Sequence, residues 1–213
     1  MANPLNSHED PPESDVNGVS RHQPRGRLSW LSLQHMEVLL LAITLLATVV
    51  ISWLTLNQTT HHFRLERTGT FVSRFNSTEL VSLRESVDRW LEGTETIDQL
   101  FDRAKGISDP ASNPRVSLGR ADAVLTISNL RTLTNFFQEF GTALKSGVLD
   151  EKYAHDLLGG VCIRYGNELE PFIVRMRIER KRDTVYQEVF LLRNKMLIFD
   201  GKPPLPLPDK KSP

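Results

Sequence analysis

Thr44, Thr48 and Ser52 recur at every fourth position in a stretch without charge, with Thr55 close by. On a helix they share one face, where small hydroxyl residues let two helices approach closely and hydrogen-bond across the interface. The alternative is that each hydroxyl donates to the carbonyl four residues back and faces lipid. A second constellation is Arg175, Arg177, Arg180, Lys181 and Arg182, five cations in eight residues opposed only by Glu179. Such a run suits anionic lipid headgroups, each cation adding about 1 kcal/mol near the surface. No aromatics interleave it to stack on bases, so nucleic acid is not expected as a partner. A solvated basic helix end, favoured by the macrodipole, is the competing account.

The remaining reactive residue types point to structure. Gly159-Gly160 falls inside a helical pattern, where each glycine costs roughly 1 kcal/mol relative to alanine. Close packing against the helix that carries Phe136 and Phe137 would justify them; a kink or helix end would also do so. His61-His62 lacks a third metal ligand at helical spacing. Cys162 lies on an apolar face and reads as a small core residue rather than a nucleophile. Asn57-Gln58-Thr59 and Asn76-Ser77-Thr78 match the glycosylation sequon, but Asn57 abuts the expected bilayer and Asn76 is better read as a helix cap. No phosphate loop, nucleophile elbow, H-E-x-x-H or paired-cysteine motif occurs. The reading is a non-enzyme, with no cofactor and no small-molecule substrate.

The first of these constellations needs a host. From Val38 to Leu56 the chain carries seven Leu, three Val, two Ile and no charge. As a helix that run spans roughly 28 Å, about the hydrocarbon thickness of a bilayer. It is longer than a signal-peptide core and offers no A-x-A-like cleavage site at Ser52-Trp53-Leu54-Thr55-Leu56. The expectation is an uncleaved single membrane span over residues 37–57, with the lipid bilayer as its first partner. Arg21, Arg25 and Arg27 ahead of it balance Arg64, Arg67 and Arg74 behind it, so the positive-inside rule leaves orientation open. A single cysteine excludes a disulfide framework and favours a reducing compartment. The C-terminal portion is therefore expected in the cytoplasm. From Arg64 onward it holds 23 basic and 21 acidic residues, too even a balance to argue for nucleic acid.

Residues 1–35 are rich in Pro, Ser, Asn and His and predict a disordered tail, as do residues 200–213 with their Pro-Pro-Leu-Pro. That proline segment could dock on an aromatic groove as a polyproline helix; a solvated tail is the plainer reading. Between the tails the periodicity is helical. Residues 58–75 form a juxtamembrane connector. Leu80, Leu83, Val87 and Trp90 then form a stripe that starts at an Asn76/Glu79 capping box and stops at Gly93. Thr96 and Gln99 cap a short helix carrying Ile97, Leu100, Phe101 and Ala104. Residues 106–119 read as a loop. Leu130, Leu133, Phe137, Phe140 and Leu144 line a long helix from about Arg120 to Lys145, widened by Val124, Leu125, Ile127 and Phe136. Asp150 starts another helix, and the short gap predicts an antiparallel hairpin. Val174 to Glu179 alternates as a strand would, but Pro171 suits a first helical turn and no partner strand is evident, so helix is preferred. Thr184 and Gln187 cap a final helix with Val185, Val189, Leu192 and Met196 inward. The fold class is all-α: one transmembrane helix, then a bundle of about five or six helices over residues 76–199.

Asn135-Phe136-Phe137-Gln138-Glu139-Phe140-Gly141, Lys145-Ser146-Gly147-Val148-Leu149-Asp150, Leu157-Leu158-Gly159, Arg164-Tyr165 and Pro171-Phe172 together resemble a known group. They are similar to bacterial single-pass membrane proteins with a helical domain of unknown function, of the 4760 type. The likeness covers roughly residues 65–197, with Phe136, Phe137 and Phe140 as packing residues. Gln138 and Glu139 set the acid one position from its usual place. The resemblance implies localisation at the inner membrane and a helical architecture; it carries no activity to transfer. On the residues themselves, the expected role is a module that binds a protein partner or itself near the membrane surface. A sensor whose bundle responds to a ligand is the alternative, to be favoured by a cavity among Trp90, Phe137 and Tyr165.

Overall fold

The computed structural model describes residues 27–106 and 114–208. Every regular element among them is an α-helix: α1 Arg27–Phe75, α2 Thr78–Leu91, α3 Ile97–Lys105, α4 Pro114–Lys145, α5 Glu151–Glu168, α6 Glu170–Arg180 and α7 Gln187–Phe199. The chain divides into two compact units, residues 1–53 and 54–213. The disordered tail read for residues 1–35 lies outside the described residues up to position 26; from Arg27 the backbone is already helical.

In the first unit the large apolar side chains of α1 from Met36 onward are exposed. Leu41 and Leu45 are each 70% exposed, and Val38, Leu46 and Ile51 are similarly bare. α1 contains the one stretch among the described residues long and apolar enough to cross a membrane, and none of its most apolar 18-residue window is buried. For a soluble helix that arrangement forfeits the hydrophobic term entirely; in lipid tails the same exposure is favourable.

The second unit is held by aromatic packing around α4. Phe136, Phe137 and Phe140 are each at most 1% exposed. Phe71 lies against Phe140 at 5.3 Å between ring centroids, Phe75 against Phe136 at 5.5 Å, and Tyr165 against Phe137 at 5.4 Å. Burying each such ring contributes about 1.5–3 kcal/mol, and the tilted pairings add to that. Residues 54–75 join this core at their C-terminal end and are tied to the α4–α5 turn by a buried threonine. Thr68 donates to the Arg64 carbonyl at 2.8 Å and accepts from the Asp150 amide at 3.0 Å.

The caps follow local chemistry. Thr96 and Gln99 form the expected reciprocal box, Gly106 ends α3 in a left-handed conformation, and the Asp150 side chain accepts from the Tyr153 amide at 2.8 Å. Two expected caps shift. Ser77, not Asn76, caps α2 through the Leu80 amide. At α7 the Thr184/Gln187 pair does not form a capping box; the buried Tyr186 takes the N-cap position with φ 58° and no side-chain cap bond. The loop read over 106–119 is shorter than expected, because Pro114 opens α4; residues 107–113 lie outside the described residues.

The hairpin expected of α4 and α5 is opened by a third helix. α7 packs along both of them, α4 also meets α2 and α3, and α6 meets α3 and α5. Two glycines make room for α7. A Cβ at Gly141 would lie 2.7 Å from the Glu188 carbonyl oxygen, and one at Gly166 would lie 2.7 Å from the Arg193 Cβ. Of Gly159 and Gly160, expected to pack against α4, Gly159 is buried and Gly160 is not. A Cβ at Gly159 would meet the His155 ring of its own helix at 2.8 Å, and Gly160 is exposed with nothing within 4 Å. The helical phase of α5 turns Gly166 toward its neighbour and Gly160 to solvent.

Candidate functional site

Among the concave surfaces of the second unit, two join helices distant in sequence and gather charged side chains. The first is a cleft of about 290 Å³ between α2 and α5, lined by Val81, Arg84, Glu85, Asp88, Val161, Arg164 and Tyr165. Asp88 is its hub. It accepts from the Tyr165 hydroxyl at 2.8 Å and from Arg164 at 3.0 Å, while Arg164 also reaches Glu168 at 2.9 Å. Burial pushes the Tyr165 phenol above its ordinary range, and the bond to Asp88 adds to the shift. Arg84 lays its guanidinium over the Phe75 ring at 3.8 Å. A phenol held protonated this way orients charges; it does not supply a base near neutral pH.

The second is a groove of about 570 Å³ between α3 and α6, walled by Ile97, Pro171, Val174 and Ile178, with Asp98, Asn167, Glu170 and Arg175 around it. Val174 and Ile178 stand one turn apart on the same face of α6, which Pro171 starts from its first turn. Arg175 pairs with Asp98 at 3.1 Å and lies over the Phe101 ring at 5.5 Å.

Behind this groove sits a buried arginine on α7, beside the inward Val189, Leu192 and Met196. Arg193 is 1% exposed. It donates to Asn167 at 3.2 Å, to Glu170 at 3.0 Å and to the Pro206 carbonyl at 3.3 Å, and packs on Phe190. Next to it Asn194 donates to the Leu205 carbonyl at 2.8 Å and accepts from the Leu205 amide at 3.1 Å. This side chain reads the backbone as a paired strand would. The tail expected to be solvated over 200–213 is exposed from Gly201 to Leu207 but is fastened to α7 at Leu205 and Pro206 as an extended strap, while residues 209–213 lie outside the described residues.

The expected site residues scatter. Thr44 and Thr48 donate to the carbonyls of Leu40 and Thr44, the latter at 2.8 Å, which is the lipid-facing alternative for those hydroxyls. Ser52 lies on the same exposed helix. The basic run divides. Arg175 is engaged with Asp98, and Arg177 donates to the Val185 carbonyl at 2.9 Å and lies over Phe190, its charge discouraged by burial. Arg180, Lys181 and Arg182 remain exposed, with Lys181 closing α6 at φ 51°. Of the five cations expected to meet headgroups, two are thus engaged within the domain and three are exposed. Cys162 is 1% exposed and burial raises its thiol far above the ordinary value. Gln138 accepts from the Glu188 amide at 3.1 Å, and Glu139 pairs with Arg74 at 2.6 Å. Of Trp90, Phe137 and Tyr165, the latter two pack ring against ring at 5.4 Å, and Trp90 donates to Glu95 at 3.0 Å.

Sequence reasoning missed Asp88, Arg164 and Tyr165 as a unit. The Arg164–Glu168 spacing was a visible signal; the partner 76 residues away was not.

The family described as Domain of unknown function (DUF4760) matches residues 42–196. The chain belongs to that family. The match takes in most of the apolar run of α1 and every later helix as far as Met196, so in this DUF4760 chain the matched region covers both part of the span-length helix and nearly all of the bundle. No curated protein and no solved structure matches the chain.

Proposed function

We propose that this DUF4760 chain is a non-enzymatic, single-pass protein of the inner (plasma) membrane that holds its helical domain at the cytoplasmic surface as a protein-interaction module. The observation that carries the reading is the apolar run from Val38 to Leu56, whose side chains lie bare along α1. Anchoring raises the local concentration of the domain, so weak contacts suffice for association. The outward face of α5 offers such contacts: Tyr153, Leu157, Gly160 and Arg164 follow one another at helical spacing and are all exposed. Self-association through Thr44, Thr48 and Ser52 would act inside the bilayer, and Arg180, Lys181 and Arg182 would meet anionic headgroups. The Thr44 and Thr48 donors are spent on their own helix, so small size and spare lone pairs are what such a face would use.

The test is fractionation followed by crosslinking in native membranes. The full chain should stay in the pellet through alkaline extraction, and maleimide labels at Ser7→Cys and Ser212→Cys should report opposite sides. Recovery in the supernatant without detergent overturns the proposal. Thr48→Leu should weaken self-association in a membrane two-hybrid assay.

A second reading, a ligand-responsive sensor, is favoured by the α3–α6 groove, whose 570 Å³ falls in the range of small-molecule sites.

A further inference from the structure

The groove between α3 and α6 has the chemistry of one ligand class. Its walls are aliphatic: Ile97 from α3 faces Pro171, Val174 and Ile178 from α6. Ile178 is 54% exposed, an apolar cost that a covering ligand would remove. Arg175 is the cation among the residues that line it. Its side chain is 26% exposed and held over the Phe101 ring, so the guanidinium is pre-positioned rather than free in solvent.

The acid it now meets is weakly committed. The Arg175–Asp98 pair meets at Nη1 at 3.1 Å, and the Asp98 side chain is 67% exposed. Arg175 Nε is buried and makes no hydrogen bond among the described residues. A planar fork with a donor unspent, paired to an exposed carboxylate, accepts a better carboxylate readily. The other acid beside the groove, Glu170, is already bound by the buried Arg193.

We propose that this groove binds an aliphatic carboxylate, a medium-chain fatty acid in chemical class, with its alkyl chain along Ile97, Val174 and Ile178. Its carboxylate replaces Asp98 on Arg175. Glu170 and Asn167 connect the same groove through Arg193 to the strap at Pro206, which gives an occupied groove a route to the C-terminal segment. This assignment rests on the sensor reading and names its ligand.

The test uses the full chain in its membranes and a decanoic-acid analogue bearing a photoactivatable diazirine. Labelled peptides are mapped by mass spectrometry. Labelling should fall on α3 and α6 and be competed by decanoate but not by decyltrimethylammonium. Arg175→Gln should reduce groove labelling roughly tenfold or more, the loss expected for a charged hydrogen bond. Asp98→Asn removes the internal competitor and should raise it roughly threefold. Ile178→Ser, at an exposed position, tests the alkyl wall should Arg175→Gln fail to fold, and it too should lower labelling. Labelling confined to residues 38–56, or groove labelling indifferent to all three variants, overturns the proposal. In that outcome a chain still in the membrane pellet leaves the anchor standing, and a ligand-triggered change in strap protection with some other compound would leave the sensor reading standing.

Discussion

Gly166 and Arg193 meet at a contact with no room for a methyl group. A Cβ at position 166 would lie 2.7 Å from the Arg193 Cβ and 3.0 Å from its Cγ. The bare backbone of α5 is what lets α7 run an arginine along it and deliver the guanidinium to Asn167 and Glu170. Gly166→Ala should therefore cost about 1–3 kcal/mol through overpacking. Gly160→Ala, six residues earlier with open space around it, should instead stabilise by up to about 1 kcal/mol from helix propensity. Thermal unfolding of the two variants in the same detergent reads the difference. Equal shifts would remove the close-approach role assigned to Gly166.

The C-terminal strap rests on Asn194. Its amide makes both bonds to Leu205, and Arg193 holds Pro206 beside it. Asn194→Ala should leave the bundle's melting temperature nearly unchanged while the Leu205 amide loses its protection in hydrogen exchange. A protected Leu205 in that variant would mean that Arg193 alone seats the strap.

How the helices could be read and the strap could not follows from where each is encoded. The stripe Leu130, Leu133, Phe137, Phe140, Leu144 is a local period, and every one of its members is buried. Thr96 with Gln99 and Asp150 with Tyr153 are bonds across three residues, so the sequence displays them. The strap needs a side chain and a backbone 11 residues apart. Proline content signals an extended segment without saying what it lies on. The glycines make the same point: Gly159-Gly160 draws the eye as a pair, but the approach of α7 depends on the single Gly141 and Gly166, whose roles appear only when Glu188 and Arg193 arrive opposite them. The Asp88–Tyr165 contact bridges 77 residues and was likewise invisible.

Cys162 and Tyr165 set an alkaline limit on stability. Burial raises the thiol of Cys162 above its ordinary 9.0 and does the same to the Tyr165 phenol above 10.0. In both cases the unfolded chain releases the proton first. The stability they contribute is whole below those ordinary values and declines as pH climbs past them, by up to about 1.4 kcal/mol per unit for each group. Cys162→Ala should flatten the fall in melting temperature between neutral pH and roughly pH 10.5, a window set by the thiol's ordinary range. Native Cys162 should also resist iodoacetamide at neutral pH and react once the chain is denatured. An unchanged alkaline slope would contradict the burial argument.

The basic run after Pro171 contains residues of two kinds, and substitution should separate them. Arg177 gives its Nε to the Val185 carbonyl and stacks on Phe190, so it fastens the α6–α7 turn. Arg177→Gln strands that carbonyl and should cost about 1–3 kcal/mol in unfolding. Arg180, Lys181 and Arg182 are exposed, and neutralising all three to Gln should move stability by no more than about 0.5 kcal/mol per site. Their effect belongs to the membrane surface. In proteoliposomes containing phosphatidylserine, amides from 178 to 184 should exchange more slowly than in phosphatidylcholine alone. Added salt should erase the difference, because exposed charges are screened over about 10 Å at 0.1 M. The triple variant should lose the lipid dependence while keeping its fold, whereas Arg177→Gln should lose stability and keep the lipid dependence. Exchange that is the same in both lipids for the unmodified chain would leave these three cations as a solvated helix end.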